Sequence, residues 1–110
     1  MSLEEILVAI RARASVISKE PRPPTVEDAL VTLVSHAGGS TPEAMALAGI
    51  LIGMAGMDRP DTDYKRSDVQ LLQPRVIRRI DLLLVALLDG RCTQEDLREA
   101  LRPLKVRPFK

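Results

Sequence analysis

The sequence predicts an all-α fold: a compact bundle of about five helices around a buried central helix at residues 42–57. Three observations carry that expectation. Apolar residues recur at helical spacing in one segment after another. Proline and glycine separate these segments, with hydroxyl and acidic residues where helices would begin. No segment shows the alternation of a half-buried strand. At 110 residues and 12.1 kDa the chain reads as a single helical domain, 1–110. A domain of that size hides roughly two-thirds of the surface its unfolded chain exposes. Apolar residues make up 45% and charged residues 28%, a globular composition rather than a disordered one.

Each element has its own justification. Ser2 and Glu5 form a capping box, and Leu3, Ile6, Leu7, Ile10, Ala14 and Ile17 then make one helical stripe. Pro21, Pro23 and Pro24 stop that helix. Thr25 caps a second helix with Glu27 and Asp28 in its first turn; its stripe is Val26, Ala29, Leu30, Leu33, Val34 and Ala37. Gly38 and Gly39 end it. The third helix opens with Thr41 as cap, Pro42 at its first position and Glu43 behind it. From Ala44 to Met57 no charge follows, so this helix needs cover on every side. Its glycines, Gly49 and Gly53, predict a tight backbone contact, and Met45, Met54 and Met57 read as core filling. A polar loop leads to a short helical turn through Val69, Leu71 and Leu72, which Pro74 interrupts or kinks. The fourth helix runs from about Arg75 to Asp89, with Arg75, Arg78, Arg79 and Asp81 outward and Leu82 to Leu88 continuously apolar. Gly90 stops it. Thr93 caps the last helix, and a short basic tail at 102–110 closes the chain.

Composition removes most function classes. Sixteen Lys and Arg balance fifteen Asp and Glu, so no global field recruits nucleic acid or membrane. The single Cys and single His rule out a disulfide framework, a multi-thiolate zinc site and two-His metal motifs. With no Trp, one Phe and one Tyr, little aromatic surface exists for stacking bases. No leader peptide is evident, and the apolar stretch at 44–57 is shorter than a membrane span of about 20 residues. A cytoplasmic protein with no cofactor and no metal is the expectation.

The chemistry-bearing residues are few. Cys92 precedes a helix N-terminus, which would lower its pKa, but His36 lies near the end of another helix and nothing in the sequence joins them. The loop from Asp58 to Asp68 is rich in carboxylates. A calcium loop starting at Asp61 fails, because Lys65 and Arg66 stand where an oxygen ligand and glycine belong. Gly38, Gly39 and Ser40 lack the lysine of a phosphate loop. No catalytic constellation remains.

The preferred expectation is therefore a non-catalytic helical protein that binds another protein as adaptor or inhibitor. Its candidate contacts are Asp61, Asp63, Tyr64, Lys65 and Arg66 in the central loop. Arg75, Arg78 and Arg79 on the fourth helix and Arg102, Lys105 and Arg107 in the tail join them. Small helical proteins of this kind are often encoded by phages or plasmids, which makes inhibition of a bacterial host defence complex the narrower expectation. Surplus apolar surface on helix 42–57 or helix 75–89 points to a homodimer through one of them.

The segment 81–101 resembles the opening of a winged-helix or helix-turn-helix domain: an apolar helix from Leu82 to Leu88, a turn at Gly90 and a second helix capped by Thr93. The resemblance implies a DNA-associated accessory protein. Base reading in such domains uses a third helix in the major groove. Here Pro103 breaks the chain after Arg102, so the motif is degenerate and DNA would be held through Arg75, Arg78, Arg79 and the tail.

Overall fold

The computed structural model describes residues 3–17, 24–56 and 66–102. Within them the chain forms α1 (Leu3–Val16), α2 (Val26–Ala37), α3 (Pro42–Met54), α4 (Arg66–Leu71), α5 (Pro74–Asp89) and α6 (Gln94–Leu101). The all-α reading holds, and no strand occurs among the described residues. The expected short turn is a sixth helix, α4. The first capping box and the Pro21–Pro23 stop lie outside the described residues.

Helix starts follow the chemistry of their caps. The hydroxyls of Thr25, Thr41 and Thr93 each accept from a backbone N–H three residues on, at 3.1 Å. At α6 the Asp96 carboxylate reciprocates by accepting from the Thr93 N–H. Each such exchange satisfies donors that a helix start leaves unpaired. Pro74 does not kink α4. It occupies the first position of α5, where its missing N–H costs nothing. Two ends need a left-handed residue, and both have glycine: Gly56 with φ 73° after α3 and Gly90 with φ 79° after α5.

The third helix is central, as its composition demands. α3 packs against α1, α2, α4 and α6, while α5 lies across α1 and α2. Ile6, Ile10, Leu33, Leu47, Ile50, Leu51, Ile77, Ile80, Leu83, Leu97 and Leu101 are all fully buried. Regular α3 ends at Met54, and Met57 lies outside the described residues.

Three expectations about side chains are corrected. Arg79 does not face outward but is only 9% exposed. It shares the core face with Val76, Ile80, Leu83 and Ala86, so its stem packs inside and its Nη1 donates to the Arg75 carbonyl at 3.1 Å. Met45 is not core filling. It is 69% exposed, because Ala44, Leu47, Leu51 and Met54 define the inward face and Met45 falls off it. Gly49 makes no tight contact, since a methyl group built there would meet nothing within 4 Å.

Long-range polar ties hold the helix ends together. Glu43 accepts from His36 Nε2 at 2.7 Å and from the Gln73 N–H at 2.6 Å, joining the end of α2 to the starts of α3 and α5. At the other end of α3, Arg98 donates to the Ala55 carbonyl at 2.7 Å and Gln94 to the Met54 carbonyl at 3.2 Å. A cation is favourable there, where the helix dipole is negative. Arg13 holds α4 by donating to the Val69 carbonyl at 3.0 Å.

Candidate interaction surface

Of the residues expected to meet a partner, Arg75, Arg78, Arg79 and Arg102 are described with their side chains. Asp61, Asp63, Tyr64, Lys65, Lys105 and Arg107 lie outside the described residues, and Arg66 is placed only by its backbone at the start of α4. Of the three arginines on α5, Arg75 is exposed, Arg78 half-buried and Arg79 inside. Arg102 is exposed just past α6. The three arginines thus do not form one outward basic stripe.

The nucleophile and base do not come together as a reactive pair. Cys92 is 3% exposed, and burial, followed by the nearby Asp96 carboxylate, pushes its thiol above the ordinary value. The expected lowering by the following helix is reversed: burial is the larger cause and the Asp96 carboxylate the second. His36 is held by Glu43. No group of acidic, His and Cys side chains among the described residues could hold a metal ion.

The α5–turn–α6 segment places a helix where the helix-turn-helix resemblance expects one. However, α6 packs on α2 and α3 rather than mainly on α5. Its exposed positions include Glu95, Asp96 and Glu99, and Arg98 is engaged on the end of α3. Three carboxylates directed at solvent repel a phosphate backbone.

The best-defined surface lies elsewhere, along the seam of α1 and α5. Leu3 and Leu7 share a hollow of about 410 Å³ with Leu84, Leu87 and Leu88. Arg11 and Ala14 share a second, about 360 Å³, with Arg78, Leu82 and Val85. The pairing of early α1 with late α5 shows that the two helices run antiparallel. Leu88 stands 70% exposed at the rim of the first hollow, and Val8 of α1, which lines neither hollow, is 68% exposed. Glu4, Val8, Arg11 and Ser15 fall at i, i+4, i+7 and i+11, one outer stripe of α1. Beside it, Arg78, Asp81, Val85 and Leu88 line the outer edge of α5.

The resulting strip has distinct ends. Glu4 and Asp89 stand at one end with Arg91, which bonds Asp89 at 3.4 Å. At the other, Arg78 stands beside the Arg11–Asp81 ion pair of 3.3 Å. Between these ends lie Leu84, Val85 and Leu88. Sequence reasoning saw the Leu82–Leu88 run but passed over Val8, which lies off the core stripe of its helix. The second stripe at positions 4, 8, 11 and 15 was the available signal.

No helix among the described residues is long and apolar enough to cross a membrane. Comparison with known proteins finds no matching family model, no matching curated protein and no matching solved structure.

Proposed function

We propose that this chain is a non-catalytic binding protein, an adaptor or inhibitor, and that its docking surface is the α1–α5 strip. The observation that carries this reading is Leu88, 70% exposed at the rim of an apolar hollow shared by α1 and α5. Single exposed apolar residues are ordinary, but an apolar seam with a charged rim is the composition of a recognition surface. Its complement is an amphipathic helical surface of another protein, apolar where it meets Leu88 and the hollow. The shielded thiol of Cys92 supports a non-catalytic role, since it is not poised as a nucleophile.

The experiment is a tagged capture from source-cell lysate, run with wild type, Val8→Glu and Leu88→Glu, each with and without nuclease. A protein retained by wild type after nuclease and lost by both variants is the expected result. Its identity decides between adaptor and inhibitor, and whether the target belongs to a bacterial host defence complex. Retention that ignores both substitutions overturns the strip as docking surface. Retention that disappears with nuclease moves the assignment to a DNA-associated accessory protein.

A further inference from the structure

We infer that the hollow between α2 and the start of α5 is a binding site for a terminal phosphate group, free or carried on a small alcohol. The inference goes beyond the docking reading and does not depend on the α1–α5 strip. The hollow measures about 200 Å³ and is lined by Thr32 and His36 of α2, by Gln73, and by Arg75, Val76 and Arg79 of α5. Sites that enclose a whole drug-sized ligand measure roughly 300–1,000 Å³, so this one suits a single group. Thr32 and His36 stand one helical turn apart, as do Arg75 and Arg79, and α2 packs on α5. Two i, i+4 pairs from neighbouring helices thus converge on one space.

The lining is rich in donors, and no carboxylate belongs to it among the described residues. Arg79 is 9% exposed, and its Nη1 donates to the Arg75 carbonyl at 3.1 Å, which fixes the guanidinium in place. That arginine keeps its existing partners, because a guanidinium with five N–H donors serves several acceptors at once. Arg75 is exposed and free of any packing role. Glu43 sets two further members of the lining, accepting from His36 Nε2 at 2.7 Å and from the Gln73 N–H at 2.6 Å. Both of its oxygens are engaged there, and Glu43 does not itself line the hollow. Arg75 also sits in the first turn of α5, at the positive end of the helix dipole, with no acid in that turn. Arg79 follows one turn later, and like charges at that spacing repel. An oxyanion between them reverses both effects.

Phosphate fits this donor set better than a carboxylate does. Its three terminal oxygens accept from several donors, Thr32, Gln73, Arg75 and Arg79 among them. A phosphodiester backbone fits worse, since its phosphates are flanked by sugar on both sides and Arg79 is recessed. The body of a phosphate ester also has a place. A second hollow of about 570 Å³ shares Thr32 and His36 with the first and adds Val31, Ser35, Gly39 and Thr41. The hydroxyls of Thr32 and Ser35 suit a polar, hydroxylated body.

The full chain tests this by titration with inorganic phosphate, glycerol 3-phosphate and dimethyl phosphate, followed through amide chemical shifts by NMR. Saturable shifts centred on residues 32–36 and 73–79 are expected with the first two probes and not with the diester. Tighter binding of glycerol 3-phosphate assigns the site to an ester, and equal or tighter binding of phosphate assigns it to the free ion. Arg75→Gln should weaken the better probe at least about tenfold, the loss of one hydrogen bond to a charged group. Arg79→Lys keeps the charge but loses the planar fork, and should weaken it by a similar factor, with circular dichroism confirming the fold. If that variant does not fold, Arg75→Gln alone decides. Arg78→Gln, on the same helix but outside the hollow, should change affinity by less than about twofold, as a screened surface charge does. The absence of saturable shifts with both phosphate probes overturns the inference. So do equal losses in Arg75→Gln and Arg78→Gln, which would mean attraction by a basic surface at large. Stronger shifts of the same residues with dimethyl phosphate or a short DNA duplex overturn it as well, and assign these arginines to a nucleic-acid backbone.

Discussion

α3 and the Leu82–Leu88 half of α5 carry the two longest uninterrupted apolar runs of the chain, and they dispose of their apolar surface in different ways. α3 has no charged residue after Glu43 and little amphipathic character, yet four other helices enclose most of it. Where it does reach solvent, its residues other than Met45 are small: Ala46, Ala48 and Gly49. α5 is strongly amphipathic, with arginines in its first half, and still leaves Leu88 exposed. Uncharged sequence is therefore a poor index of apolar surface left for a partner. What matters is residue size at the positions the fold leaves open.

The largest expected effect separates these two regions directly. Leu51 on α3 is fully buried and Leu88 on α5 is 70% exposed, so the same truncation should have opposite consequences. Leu51→Ala should cost about 3 kcal/mol of unfolding free energy, the sum of lost transfer energy and a residual cavity. At low protein concentration Leu88→Ala should stay within about 0.5 kcal/mol, as surface substitutions do. Urea titrations of the two variants measure this. Repeating the Leu88→Ala titration at high concentration sharpens the comparison, because a residue that stabilises only through association grows in effect by mass action. Equal losses for the two variants at low concentration would mean that Leu88 is part of the monomer core.

The element boundaries were legible in the sequence because caps and stops act locally. Thr25, Thr41, Thr93 and Gly90 each do the work that their types and positions predict, within three or four residues of themselves. The core stripes of α1 and α2 were legible for the same reason, since helical spacing is a local property. What escaped was set by neighbours distant in sequence. Glu43 reads as a first-turn acid favouring its own helix dipole, but it is a tie to Gln73, thirty residues on. Arg79 reads as one of three outward arginines until the position of α2 makes its face the inner one. The α1–α5 strip needed the antiparallel arrangement of two helices far apart in the chain: the second stripe of α1 at positions 4, 8, 11 and 15 is readable in the sequence, but not which helix it lies beside.

Gly49 supplies a smaller effect of opposite sign. A glycine within a helix costs about 0.8–1 kcal/mol relative to alanine, which makes a tight contact the usual reason for keeping one. No such reason exists at Gly49, where an added methyl meets only open space. Gly49→Ala should therefore raise unfolding free energy by about 0.8 kcal/mol, read as a higher urea midpoint with unchanged slope. If it destabilises instead, that side of α3 is covered by something in solution, and the contrast with α5 would collapse.

Cys92 sits between the two regions, lining the same hollow as Leu88 and Met54, and gives the smallest effect. Burial raises its thiol above the ordinary value of 9.0, with Asp96 adding to the shift. The sign follows from proton counting. Once pH passes the ordinary thiol value, the unfolded chain has lost this proton while the folded chain retains it, so unfolding is favoured as pH rises. The stabilisation is complete below about pH 9 and is lost as pH climbs through the raised folded value. Unfolding free energy measured at successive alkaline pH values should fall less steeply in Cys92→Ala than in wild type, with other titrating groups common to both. Iodoacetamide supplies a second reading, since alkylation of native wild type should proceed far more slowly than that of the urea-unfolded chain. Were Cys92 to react at the rate of a free thiol, the hollow beneath Leu88 would be open to solvent in the native state, and a nucleophilic role for this residue would return to consideration.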